Sequence, residues 1–495
     1  MKVKLNKEQI ADKIHACWIG KNIGGTMGFP YEGTREFLDI KGYVTPKGEP
    51  LPNDDLDLQL AWLSMIEQFG IETFDANRLA QAWQMLITPY WAEYGIAKKN
   101  MEMGLLPPLS GEFDNDKWRN SNGAWIRSEV WACLAPGFPN VAIKYAIMDA
   151  SVDHGLGEGT YAEIYTAALE SIAFVESDTR KIVETALEYI PENCRVSQCV
   201  RRVLEEYDKK TPYRQVRDIL VDMTKDIGWF QAPQDLGFVT IGLLYGEGDF
   251  KKSMIYTINC GDDTDCTGAT LGAIMGLIGG TKSIPEDWAE YIGDRIVQYC
   301  VNALYANWCP KTCEDLTRRV IAKIPTVLGN EKSGRNKIEV EFTDGETEIN
   351  KEESFKVLEG YADNYFKRGK YSFDVNDYFD LHTLVEYDEY PVVKEGVEFK
   401  IRLKFHQLIN DKSVQGYVNI SLPEGWTANY SKSVTVFKPF DCFETKEQNI
   451  RGVDQNVYEF TVTPNSNIQP VNRVYVHLDR QGHPMPSLIP ITLMG

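Results

Sequence analysis

Two groups of acidic residues in this chain are spaced so that they could do chemistry together. The first is "LPNDDLDLQLAWL", with Asp54, Asp55 and Asp57 at the start of an apolar helical run. The second, about two hundred residues later, is "NCGDDTDCTGATLGAIMGLIGG", with Asp262, Asp263 and Asp265 ahead of a Gly/Ala-rich run. Either group alone reads as an N-cap helped by the helix dipole, because Asp is favoured in a first turn. A cap, however, needs one oxygen. Each group offers several, with Asn53 and Thr264 beside them. The close Gly and Ala spacing of "GATLGAIMGLIGG" lets that backbone pack tightly, which holds the acidic end among protein rather than in open water. Like charges brought together there raise one another's pKa unless a cation neutralises them. Carboxylate, amide and hydroxyl oxygens, without a His or Cys cluster, suit a hard cation such as magnesium. Two converging groups could hold two ions, about 3.5–4 Å apart as in two-metal sites.

The elements that must position these groups are helices. Residues 1 to about 330 show apolar residues recurring at three and four, as in Asp55–Gly70, Val141–Gly155 and Thr160–Glu176, with short Gly/Pro/Asn-rich breaks. That predicts an all-α domain over 1–330. From about Ile338 the texture changes to Val, Tyr, Phe and Thr, and alternation appears in "EFKIRLKFHQ", "GYVNISLPEGW", "VYEFTVTP" and "NRVYVHLD". The expected arrangement is multidomain: the all-α domain, a connecting segment over 331–385, and an antiparallel β-sandwich of immunoglobulin size over 386–495. The first helix is expected to be amphipathic, capped by Asn6 with Gln9 three residues on, and with Ile10, Ile14, Cys17 and Trp18 on one face.

Composition narrows the classes of function. A formal net charge of −20 offers no basic face for nucleic-acid phosphates. It also fits a protein that gathers divalent cations, although most acidic proteins are simply soluble. The apolar run around Ile274–Gly280 is too short to span a bilayer. The N-terminus has neither the apolar core nor the cleavage site of a signal peptide. Nine of the ten cysteines precede residue 315, mostly at apolar helix positions, which suits reduced core thiols and a cytoplasmic protein. Cys309 and Cys313 lack a second pair or a flanking His, so they read as core thiols rather than metal ligands.

Several ordered motifs over about 1–320 resemble the ADP-ribosylglycohydrolases, an all-α family with a two-magnesium site. "IGKNIGGTMGFPYEG" is similar to the family's Gly-rich N-terminal loop ending in a glutamate, here Glu32. "NDDLDLQLAWL" resembles the Thr-Asp-Asp-Thr metal motif and aligns Asn53, Asp54 and Asp55 with it. "NGAWIRSEVWACLAPG" resembles a segment beside the substrate, with Asn122, Gly123 and Arg127. "DASVDHGLGEGTYAE" resembles a segment whose histidine contacts substrate, here His154. "GDDTDCTGATLGAIMG" resembles the Gly-Asp-Thr-Asp metal motif, with Asp263 and Asp265. The resemblance thus implies metal ligands Asn53, Asp54, Asp55, Asp263 and Asp265, two Mg²⁺ with Mn²⁺ able to substitute, and a glycohydrolase acting at C1 of a ribose. Glu32 is the implied base, with Asp265 or Asp263 as the second candidate.

The departures are as informative. Asn53 and Leu56 stand where the first motif has Thr, and Cys266 stands where the last motif has Thr. An Asn oxygen can replace a hydroxyl as a ligand, whereas a thiol suits magnesium poorly. Asp57 and Asp262 are extra carboxylates available to compensate. From the residues alone His154 is as consistent with a structural hydrogen bond as with a ligand contact. Arg127, in an apolar stretch, must find a phosphate or carboxylate. Trp125 and Trp131 read as core, and Glu158 and Glu163 as helix surface. The alternatives are a hydrolase of another pentosyl or nucleoside-like glycoside, and a sugar-binding protein that keeps the fold and has lost the chemistry. The expected partner is a small ribosyl molecule, with neither nucleic acid nor membrane. The sandwich reads as a packing module that joins two copies or covers the helical domain, and its "SLPEGWTANYS" loop is similar to modules appended to carbohydrate-active enzymes.

Overall fold

The computed structural model describes residues 2–333, 336–337, 347–376, 381–407, 413–437, 456–483 and 485–495. Residue 338, where the sequence texture changes, lies outside them.

The first helix, Lys7–Gly28, starts as its sequence dictates. Asn6 Oδ1 accepts from the Gln9 N–H at 2.8 Å and Gln9 Oε1 accepts from the Asn6 N–H at 2.9 Å, a reciprocal capping box. The helix is amphipathic only at first. From Ala16 to Gly28 every residue is buried, because the Gly-rich helix Thr264–Gly279 lies antiparallel against it. A Cβ at Gly20, Gly24 or Gly28 would stand 2.1, 1.9 and 2.1 Å from the carbonyl oxygens of Gly272, Gly268 and Thr264. The two backbones therefore touch along successive turns, which only glycine allows. Asp54–Phe69, Pro139–Asp153, Glu158–Ala173 and Ala232–Tyr245 complete the helical core, which encloses Trp18, Trp62, Trp83, Trp125 and Trp131 fully. The nine described cysteines are free and buried. Cys309 faces Ser64, and Cys313 accepts from Asn22, as core thiols do. Among the described residues no helix is long and apolar enough to cross a membrane.

The C-terminal region is β-rich, with two antiparallel sheets. One has the order Ser433–Val436, Val414–Ser421, Val471–Arg480, Ser487–Met494. The other runs Tyr371–Asn376, Leu381–Tyr387, Phe399–Gln407, Val457–Pro464, Trp426–Asn429. Alternation sets the faces: Val474, Val476 and Leu478 point inward, with Asn472 and Arg480 continuing that phase. The second sheet takes in Tyr371–Asn376 and Leu381–Tyr387, most of which the sequence suggested for the 331–385 connection. In Tyr371–Asn376 the alternation is masked by Asp374, held by Arg368 Nη1 at 2.7 Å and His382 Nε2 at 2.9 Å, whereas Leu381–Tyr387 alternates as a strand does. Within the connection, Thr347–Asn350 pairs with the N-terminal strand Lys2–Leu5, and Phe355, Leu358 and Phe366 pack on the helical core. Leu105, Leu109 and Phe113 of the helical domain enter the core of the β region, where Phe113 stacks on Tyr390 at 4.8 Å.

Candidate functional site

The antiparallel contact of the two Gly-bearing helices brings the end of one to the beginning of the other. The turn Phe29–Tyr31 carries Glu32 out of the first helix. Reciprocal backbone bonds, Gly33 N–H to Asp262 O and Asp262 N–H to Thr34 O, both 2.8 Å, then tie it to the Gly-rich helix. The start of Asp54–Phe69 faces the same point. Three elements thus surround a cavity of about 240 Å³ lined by Glu32, Asp54, Asn122, Asp263, Asp265 and Cys266. Trp91, Tyr94, Trp118 and Phe230 form its aromatic wall.

Capping does not account for these carboxylates. Asn53 caps its own helix, Oδ1 accepting from the Asp55 N–H at 2.8 Å. Asp263 stands at the N-cap position of the Gly-rich helix, yet its side chain makes no capping bond. Its Oδ2 accepts from Asn122 Nδ2 at 2.8 Å, and its Oδ1 is buried without a donor, as are Asp265 Oδ1 and Asp55 Oδ2. Asp55 Oδ2 has only Lys21 Nζ, 3.9 Å away. Oxygens of Glu32, Asp263 and Asp265 lie within 4.8 Å of one another, as do donor atoms of Asp55, Asp265 and Cys266. A buried carboxylate oxygen without a donor costs free energy. Several around one point fit a divalent cation, and the shared Asp265 makes room for two.

The electrostatics agree with the geometry. Burial pushes the Asp263 carboxyl up to about 8, and raises Asp265 well above the ordinary range, with Asp263 and Glu32 adding to it. Burial also raises Asp55, against the pull of Lys21. Glu32 is raised by burial and by Asp54. A carboxyl whose folded pKa exceeds its unfolded value binds more protons when folded, so it withdraws stability as pH rises between the two values. The cation-free protein is therefore expected to lose stability from about pH 4 to pH 8, the loss levelling off as Asp57 and then Asp263 give up their protons, and a saturating cation is expected to remove the share that comes from Asp263. Urea midpoints across that range, with and without Mg²⁺, check both expectations.

Among the residues singled out from the sequence, Asp54, Asp263, Asp265, Glu32, Asn122 and Gly123 line the cavity, and buried Asp55 adjoins it through Asp265 and Cys266. Gly123 has a reason to be glycine, since a Cβ would stand 2.1 Å from Glu93 Oε1. Asn53 is a helix cap. Asp57 and Asp262 do not compensate for anything at the cavity. Asp57 Oδ2 accepts from the Tyr299 and Cys300 N–H groups, and Asp262 accepts from Phe230 N–H and Gln234 Nε2.

Arg127 is not at the cavity either. Fully buried, it donates to Asp149 Oδ1 at 2.9 Å, to Asp153 Oδ1 at 2.8 Å and to Gly123 O. His154 is equally buried, with Nε2 3.1 Å from Ser121 Oγ and Nδ1 3.0 Å from Asp153 Oδ1, so it braces Ser121 of the cavity wall from behind. Glu163, expected on a surface, is buried beside Asp149 and Arg127, where burial pushes its carboxyl well up. Glu158 accepts from the Arg195 and Val196 N–H groups. Arg127→Ala would remove the buried guanidinium that pairs with Asp149 and Asp153. It is expected to cost about 3–5 kcal/mol of stability in urea unfolding, with no selective effect on substrate KM.

Other contributors carried no local signal. Tyr94 and Tyr299 hydroxyls donate to Asp54 at 3.1 Å each. Asp235, buried, accepts from the same Asn122 Nδ2 that holds Asp263. Lys21, buried, donates to Glu129 Oε1 at 2.7 Å. A larger groove of about 1330 Å³ lies toward the other end of the first helix, around Lys7, Asp12 and His15, away from the acidic cluster.

The family model described as ADP-ribosylglycohydrolase matches residues 6–320. A solved structure described as an ADP-ribosylglycohydrolase-related protein complex is similar at 20% identity and a TM-score of 0.43, covering 64% of this chain and 99% of that one. No curated protein matches.

Proposed function

Because the chain belongs to the ADP-ribosylglycohydrolase family, we propose that it is a metal-dependent glycohydrolase cleaving an N- or O-glycosidic bond at C1 of an ADP-ribosyl or related ribosyl group. Family membership supports glycohydrolase-type chemistry. The observation that carries the finer reading is the convergence of Glu32, Asp54, Asp55, Asp263 and Asp265 with unpartnered buried oxygens among them. Asp263 and Asp265 with Glu32, and Asp55 with Asp265, would hold the cations, Mg²⁺ or Mn²⁺. When bound, those ions supply Lewis acidity toward ribose hydroxyls and toward a water.

The protein's own groups do the rest. Asn122 Nδ2 orients Asp263, and the Tyr94 and Tyr299 hydroxyls orient Asp54, so both carboxylates are preset. Glu32, exposed at the cavity mouth and raised in pKa, accepts the proton of the attacking water. The remaining carboxylates stabilise positive charge that develops at the anomeric carbon as the leaving group departs. Trp91, Trp118 and Phe230 shield the sugar from bulk water. A two-carboxylate glycosidase needs no metal; the crowding of carboxylates here separates this site from that arrangement.

A second reading of the substrate has its own observation. At about 240 Å³ the cavity is smaller than the pockets that enclose drug-sized ligands, which suits a pentosyl ring with its aglycone outside. Turnover of a panel of ribosyl and pentosyl glycosides with Mg²⁺, followed by chromatography of the released sugar, tests both. Release abolished in Asp263→Asn supports the enzyme. Tight ADP-ribose binding with no release from any glycoside would support a binding protein instead.

A further inference from the structure

We propose that Cys266 is itself a metal ligand, and that the position it shares with Asp55 and Asp265 takes a thiophilic divalent cation of the zinc or cobalt kind rather than magnesium. The inference rests on the metal reading above and concerns one of its two positions.

Donor atoms of Cys266, Asp55 and Asp265 lie within 4.8 Å of one another, and the three residues are 7, 0 and 3% exposed. Among the described residues Cys266 is the one cysteine lining the cavity. Its Sγ is the donor to Asp55 Oδ1, at 3.3 Å. Asp265 Oδ1 is buried with no donor, and Asp55 Oδ2 has none nearer than Lys21 Nζ at 3.9 Å. These orphaned oxygens point to a ligand independently of the thiol.

The second group, Glu32, Asp263 and Asp265, is all oxygen and suits a hard cation. The first group mixes oxygen with sulfur. A soft thiolate selects zinc-like cations over magnesium, whose preference is for oxygen. On ligation the thiol releases its proton to solvent, and Asp55 exchanges an S–H donor for the cation. Two carboxylates and a thiolate then face one dication, with the Lys21 ammonium 3.9 Å from Asp55 and shared with Glu129. Asp265, common to both groups, would join a hard position to a softer one.

The test uses full-length, chelator-treated protein titrated with Co²⁺ and read by absorption and melting temperature. The near-ultraviolet thiolate-to-cobalt band is expected in the natural protein and absent in Cys266→Ser. Zinc affinity should fall about 10–100-fold or more in that variant, at least the loss seen when an outer-shell partner of a ligand is removed. The Mg²⁺-dependent rise in melting temperature should survive, both there and in Cys266→Thr, which places a hydroxyl at the position. Stabilisation by Co²⁺ without the band, or a band that persists in Cys266→Ser, overturns the proposal and leaves the metal reading standing. No stabilisation by any cation overturns both.

Discussion

Asp265→Asn is expected to lower turnover by about 10³-fold or more, while making the cation-free protein harder to unfold. Asp265 is the carboxylate shared by the two donor groups, so losing its charge weakens both positions at once. Groups that stabilise charge in a water-excluded site contribute several kcal/mol, and each 1.4 kcal/mol or so is about tenfold in rate. The stability effect has the opposite sign for a definite reason. Asp265 is buried, and its carboxyl is raised first by burial and then by Asp263, Glu32 and Asp54. A neutral amide of nearly the same shape removes that repulsion. A carboxylate that merely helped the first turn of its helix would behave otherwise, because Asn there would lose the favourable dipole contact and lower stability slightly. The two explanations therefore part on one variant. Urea unfolding in chelator and kcat/KM with Mg²⁺ together decide between them.

Gly24→Ala is expected to cost about 3 kcal/mol or more, or to prevent folding. Overpacking usually costs about 1–3 kcal/mol because side chains and backbone can shift. Here the new methyl would meet the Gly268 carbonyl oxygen at 1.9 Å, its carbon at 2.1 Å and the Ala269 nitrogen at 2.5 Å, all backbone of a buried helix. Nothing at that contact is the end of a flexible side chain. Gly329 provides the control, since it lies in the helix Cys313–Asn330 with no atom within 4 Å of its would-be Cβ. Gly329→Ala should be neutral or stabilise by up to about 1 kcal/mol. Gly28→Ala tests the same contact where it matters for chemistry. Its Cβ would meet the Thr264 carbonyl oxygen at 2.1 Å and the Asp265 nitrogen at 2.5 Å, just before the turn that carries Glu32. Its loss of activity should exceed its loss of stability.

Legibility in the sequence followed the range of the interaction. The capping box at Asn6 and Gln9 and the alternation of Val471–Arg480 are local, and the structure shows both where the residues place them. The acidic groups were visible as clusters, and the tight packing of "GATLGAIMGLIGG" was visible as glycine content. The partner of that packing was not seen, although Gly20, Gly24 and Gly28 recur every four residues and so share one face. The resemblance placed Arg127 near the ligand, while the residues alone demanded an anionic partner, which Asp149 and Asp153 supply from 22 and 26 residues along the chain. Glu163 was read as surface because a helix with apolar residues on every side hides which face is out. Tyr94 and Tyr299 reach Asp54 from distant segments. An ion-paired aspartate interrupts the apolar phase of Tyr371–Asn376, while the alternation of Leu381–Tyr387 was legible and nevertheless assigned to the connection.

The most direct measurement is thermal unfolding of the chelator-treated protein, first with Mg²⁺ or Mn²⁺ added and then with ADP-ribose. The account predicts a cation-dependent rise in melting temperature that disappears in Asp263→Ala and Asp265→Ala, followed by a further rise with ADP-ribose. No response to either cation in the natural protein would contradict it, and the crowded aspartates would then have no cation to answer for them.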